Sequence, residues 1–190
     1  ALTEEASMLS LQFSQNLLKE NKAFWLHLTD KQQLAGLPDT ALEAAAEEAR
    51  SRGLDGWVVT LEPASYTAVM MYAKDRNLRK QLYMARNTEG IKDNKENNLG
   101  ICSRLINLRR ELAQLLGYDT YADYVMKYRM ASNVKNVYKL LDELIDAYKP
   151  TAEKEYNDVV ELAKKEEGEG FDFQNWDLAY YSQKLKQQRY

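Results

Sequence analysis

The chain has 190 residues, a formal net charge of −3, 45% hydrophobic and 29% charged residues. A chain of that size can bury roughly 70% of its unfolded surface, which with this composition excludes a disordered protein. Acids outnumber bases, 29 to 26, which counts against a nucleic-acid binder, and no apolar run approaches the ~18 residues that span a membrane.

Only 8 glycines and 3 prolines punctuate the sequence, so long helices are predicted. Over residues 3–28 the apolar positions Met8, Leu9, Phe13, Leu17, Phe24 and Leu28 recur at helical spacing. Asp30 and Gly36–Leu37–Pro38 break that pattern. Thr40 followed by Glu43 predicts a capping box ahead of an alanine-rich helix, with Gly53 as its stop.

The stretch "GWVVTL", residues 56–61, predicts a strand: short, aromatic, β-branched and closed by Pro63. A lone strand cannot satisfy its backbone groups. Its partner is therefore expected outside this chain or in a short segment that lacks a clear strand signal. Residues 64–87 read as helix with an interruption near Asp75–Asn77, and "NTEGIKDNKENN" as an exposed loop.

Leu99–Leu116 is predicted helical, with Cys102, Leu105, Leu108, Leu112 and Leu115 on one face and Gly117 at its end. Thr120 or Asp119 caps a short helix on which Tyr121, Tyr124 and Tyr128 share a face, read as core. Asn133 opens the longest helix. Its apolar stripe runs from Val134 to Ala163 through Pro150, so the proline is expected to kink that helix without ending it. "EEGEGFDF" reads as a loop before a last helix over 176–189. The prediction is a mainly α fold, a single helical domain over 1–190 with at most one or two short strands around residues 56–61.

The chemistry-bearing residues do not assemble into a site. A catalytic zinc needs about three protein ligands, commonly two histidines one helical turn apart. His27 is the one histidine, and it reads as a helix-end residue. Cys102 lies on an apolar face, where cysteine acts as a small hydrophobe, and no internal disulfide can form. Ser65 reads as a helix N-cap rather than a nucleophile. The pairs Glu4–Glu5, Glu47–Glu48 and Glu166–Glu167 read as solvated, and the run "KLKQQR" as a solvated helix face.

Three collinear stretches carry a resemblance: "GLPDTALEAAAEEARSRGLDGWVVTLEPASY" (36–66), "LRRELAQLLGYDTYADY" (108–124) and "WDLAYYSQKLKQ" (176–187), with "FSQN" (13–16) upstream. Together they resemble the zinc metallopeptidases of the thimet oligopeptidase, oligopeptidase A and peptidyl-dipeptidase family. One departure is local: Pro63 and Ser65 are separated by Ala64, where the family has them adjacent.

The resemblance implies a parent several times longer, two-lobed around a deep channel, that uses zinc to hydrolyse short peptides. Its catalytic helix would lie downstream of the W-D-x-x-Y-Y stretch. No zinc ligand, general base or cofactor-binding residue of the family maps here, so no catalytic, cofactor-binding or metal-ligating residue is expected in this chain. Zinc is expected in the parent and not in this chain.

Expected partners are peptides, for the parent, and the remainder of the same polypeptide, with neither nucleic acid nor membrane. A cytoplasmic location is expected, with the periplasm as the alternative. The last helix reaches Tyr190 without a stop signal, which fits the expectation of a fragment. Trp176, Asp177, Tyr180 and Tyr181 are expected either to clamp this helix onto its neighbours or to line the channel. The competing readings are an independent helical interaction module and a complete enzyme with an unrecognised site.

Overall fold

The structure, a computed structural model, describes residues 1–190. It is mainly helical, with eight α-helices, a short 3-10 turn at Lys31–Leu34 and one two-stranded sheet. The helices are α1 (Leu2–Ala23), α2 (Asp39–Ser51), α3 (Pro63–Tyr72), α4 (Arg76–Asn87), α5 (Leu99–Leu115), α6 (Tyr121–Met126), α7 (Val134–Glu167) and α8 (Asn175–Arg189). The strands are β1 (Trp25–Leu28) and β2 (Trp57–Thr60). No helix is long and apolar enough to cross a membrane. The chain divides into two compact units: Ala1–Leu17 with Gly90–Glu155, and Leu18–Glu89 with Tyr156–Tyr190.

The second unit holds both hydrophobic clusters. The larger is built from β1, β2, α2, α3 and α4, with Leu34, Leu61, Val69, Leu78 and Leu82 at its centre. Of the two partners expected for β2, the structure shows the short segment within the chain and not one outside it: β1 pairs with β2 antiparallel, Trp25 opposite Thr60 and Leu28 opposite Trp57. Phe24 and Leu28 fit a helical spacing by coincidence, so the periodicity masks a four-residue strand with the aromatic and aliphatic residues that strands favour. His27 therefore sits on β1, not at a helix end, and its Nε2 lies 2.6 Å from the Asp55 carbonyl oxygen.

The capping box at Thr40 does not form. Pro38, extended at ψ 151°, is the N-cap of α2 without a side-chain bond, and Asp39 opens the first turn. Gly53 does close α2: at φ +71° it takes the left-handed conformation, and the Leu54 N–H donates to the Ala49 carbonyl at 3.0 Å. The predicted interruption near 75–77 is a true break, where Asp75 caps α4 by accepting from Asn77 and Leu78 N–H groups. Ser65 is not an N-cap. Glu62 holds that position in α3, and the Ser65 hydroxyl accepts the Thr60 N–H at 2.9 Å, closing the end of β2.

In the first unit the loop before α5 is tied down at its end, not exposed throughout. Asn98 is buried; it accepts from Asn16 at 2.9 Å and donates to the Phe13 carbonyl at 3.1 Å. Arg104 on α5 pairs with Glu5 on α1 at 2.7 Å, so Glu5 is not merely solvated. On α5 Leu105 and Leu108 are buried as predicted, Cys102 is half-buried and Leu115 is exposed. Thr120 caps α6. The tyrosine stripe is not core: Tyr118, Tyr121, Tyr124 and Tyr128 form a ring-to-ring chain, yet no residue of α6 is buried. Helix α7 continues through Pro150.

Candidate functional site

Charged side chains converge in the interior at the start of α8, in the second unit. The Gly168–Gln174 stretch leads into it, and Gln174 forms a capping box with Asp177: the Asp177 carboxylate accepts the Gln174 N–H at 3.0 Å. Position N3 alone would leave this carboxylate near the surface. Instead it is fully buried, because α4 presents Arg76 and Arg79, one helical turn apart, to both of its oxygens.

Arg79 Nη2 donates to Asp177 Oδ1 at 2.9 Å, and Arg76 donates to Oδ2 through Nη2 at 2.8 Å. Arg79 is itself buried and spends its other donors on main-chain oxygens: Nη1 on Ala73 at 2.7 Å and Nε on Trp176 at 3.2 Å. Its guanidinium lies 4.2 Å from the Tyr180 ring centroid, and that of Arg76 lies 4.6 Å from the Phe171 ring. Burial pushes the Asp177 carboxyl upward, but the hydrogen bonds from Arg76, Arg79 and Gln174 outweigh it and hold the group below the usual carboxylate range.

Tyr181, one turn on, is buried in the second cluster with Val159, Leu162 and Ala163 of α7. Its hydroxyl donates to Glu167 at 2.8 Å. Burial first, and then that carboxylate, push the phenol well above its ordinary value. Glu166 pairs with Lys184 and Asp158 with Arg189, so neither the Glu166–Glu167 pair nor the basic run of α8 is simply solvated. Trp176 stacks edge-on to Tyr83 at 6.1 Å, and its buried Nε1 has no hydrogen-bond partner.

This arrangement cannot perform acid–base chemistry as it stands. Both carboxylate oxygens and most of the Arg79 donors are engaged, which leaves a saturated clamp. Sequence reasoning singled out Trp176, Asp177, Tyr180 and Tyr181, and the structure brings them together. It missed Arg76 and Arg79. The available signal was two arginines three apart, just after the Asp75 cap, on a helix whose Leu78 and Leu82 mark the buried side.

A separate cleft of about 1230 Å³ opens between α2, β2 and α3, lined by Phe24, Leu37, Ala41, Ala45, Val59 and Ala68 among others. Among its polar groups, the Ser65 hydroxyl accepts the Thr60 N–H, and Glu48 pairs with Arg52 at 2.6 Å. No three His, Cys, Asp or Glu side chains come together to hold a metal ion. His27 stands alone on β1, so the residues present do not fit a zinc site.

The profile of Peptidase family M3 matches residues 69–190. The chain belongs to that family. The M3 match begins inside α3 and takes in the whole Asp177 clamp, its arginines included. The chain is 38% identical to oligopeptidase A of Haemophilus influenzae over 188 residues, covering 97% of this chain and 28% of that protein. It is 34% identical to an organellar oligopeptidase A of Arabidopsis thaliana (100% and 25%). Against a dipeptidyl carboxypeptidase of Escherichia coli it is 31% identical (100% and 28%). The chain thus spans between a quarter and a third of the length of these M3 relatives.

Proposed function

We propose that these 190 residues are a helical, non-catalytic part of a zinc-dependent metallopeptidase that hydrolyses short peptides. What supports this is M3 membership over a chain with one histidine, in which no cluster of potential metal ligands forms. The zinc ligands and the general base are assigned to polypeptide outside the 190 residues. The segment acts as one helical piece of a larger, two-lobed enzyme, and a cytoplasmic setting suits it best. The relatives carry both oligopeptidase and dipeptidyl carboxypeptidase names, so internal cleavage and dipeptide removal are both within the proposal.

Trp176, Asp177, Tyr180 and Tyr181 act here by holding α8 in place. The full burial of Asp177 against two arginines favours that role over contact with substrate. The test is a peptidase assay on short quenched-fluorescent peptides, with the 190-residue chain and with the full-length parent. The chain is expected to be inactive with or without added zinc. The parent is expected to cleave, to stop on chelation and to recover with zinc. Cleavage by the 190 residues alone would overturn the proposal.

A further inference from the structure

The long helix α7 treats its two halves differently. Eighteen residues make five turns of an α-helix, so in sequence Leu141, Leu144 and Ile145 share the helical phase of Val159, Leu162 and Ala163. The second trio is buried, at 6%, 8% and 0% exposure, while the first stands at 46%, 42% and 54%. Tyr138 and Tyr148 widen the exposed stripe. Lys139–Glu143 occupies the opposite, polar side and Lys149–Glu153 one flank, each as an ion pair four residues apart. The stripe is therefore a real amphipathic face and not a helix that is apolar all round.

What covers the buried half is known: another helix, α8, through Tyr181 and Leu185, joined to α7 by the Glu167, Glu166 and Asp158 contacts. The exposed half carries the same residue types at the same spacing. The unit that contains it has no hydrophobic cluster of its own, since both clusters lie in the other unit. A contiguous apolar stripe of this size is an interaction surface rather than ordinary solvent-facing texture.

We propose that the Val134–Tyr148 face of α7 seats a helix supplied by the part of the M3 polypeptide outside these 190 residues. The proposal rests on the reading of the chain as a segment of a longer peptidase, whose relatives are three to four times its length. Covering Val134 to Tyr148 takes a partner of about 14 residues, or ~21 Å at 1.5 Å per residue. That partner carries aliphatic or aromatic side chains at spacings of three and four.

Thiol labelling in a Cys102→Ser background tests it. Leu141→Cys and Tyr148→Cys probe the face, and Lys139→Cys probes the opposite side. In the 190-residue chain at low concentration all three are expected to react with a maleimide at similar rates. In the full-length polypeptide the two face positions are expected to slow by about tenfold or more, because labelling then waits on local opening. Equal rates at all three positions in the full-length protein overturn the proposal. So does concentration-dependent protection in the 190-residue chain, which would make a second copy the occupant. Circular dichroism on each variant confirms that α7 is intact. A full-length protein that cleaves peptides yet leaves Leu141→Cys open sinks only this inference. Protection of the face in a protein that cleaves nothing sinks only the peptidase reading.

Discussion

Replacing Asp177 with asparagine isolates what the buried charge does, because size and shape are kept. Oδ1 accepts from Arg79 Nη2 at 2.9 Å and Arg76 Nε at 3.0 Å; Oδ2 accepts from Arg76 Nη2 at 2.8 Å and the Gln174 N–H at 3.0 Å. An amide nitrogen at either position points a donor at donors, and Arg79 becomes a buried cation with no anion. Removing one partner of a buried ion pair costs ~3–5 kcal/mol, out of a total stability of ~5–15 kcal/mol. Arg76→Ala should cost less, since that side chain is 40% exposed and water can replace it on the carboxylate. Urea unfolding followed by far-UV circular dichroism at neutral pH gives both values.

The pH dependence supplies a second check on the same variant. The folded-state pKa of Asp177 lies below its ordinary value of 3.8. The stabilisation from the ionised carboxylate is therefore complete above that value and is lost as pH falls through the lower folded-state pKa. The gap between wild type and Asp177→Asn should hold from neutral pH down to about 4 and close below it. A loss of less than ~1 kcal/mol, the size of an ordinary hydrogen bond, would show that the surrounding rings hold α8 and the charge is incidental.

Three further substitutions follow from backbone geometry. Gly36→Ala should destabilise by more than the ~1–3 kcal/mol of left-handed strain alone, because φ is +96° and the new Cβ would collide with the Tyr72 carbonyl oxygen; Gly100→Ala, within α5 and with nothing within 4 Å, is the unstrained control and should leave the melting temperature unchanged or raise it. Ser65→Ala should cost ~1–2 kcal/mol by leaving the Thr60 N–H without its acceptor, read as a shift in urea midpoint with unchanged slope. Pro150→Ala should stabilise α7 by up to ~3 kcal/mol by restoring a backbone donor inside the helix; a fall in helicity by circular dichroism would contradict that.

The sequence signals that proved readable were those with one cause. Gly53 and Gly117 end helices because few other residues take the conformation needed there, and Thr120 caps because its oxygen reaches a free N–H group of the next turn. Signals with two causes failed. The spacing of Phe24 and Leu28 suits both a helix and a strand that faces the core on alternate residues, and only pairing with β2 decides between them. Thr40 and Glu43 meet the spacing of a capping box, but Pro38 fixes the start of α2 two residues earlier. Tyr121, Tyr124 and Tyr128 do share a face, yet periodicity reports a shared direction and not what lies in that direction. The α7 stripe makes the same point within a single helix, covered at Val159 and open at Leu141.

The clamp at Asp177 was half readable for a related reason. A buried carboxylate needs cations, but its partners lie 98 and 101 residues away in sequence, beyond any local pattern. That separation also explains why α8 uses charge at all. Docking α8 on α4 closes a loop of 98 residues, at an entropic cost of about 4 kcal/mol from (3/2)RT ln n. Helix α8 is not strongly one-sided: Asp177 and Tyr181 are buried while Leu178 is exposed, so hydrophobic burial alone gives it a weak hold and no unique rotation. Two guanidiniums converging on one carboxylate, with Arg79 also fixed to the Ala73 carbonyl, contribute on the same scale as the loop closure and permit a single orientation of the helix. The residues that make W-D-x-x-Y-Y recognisable in the sequence are, on this account, those that set where α8 lies.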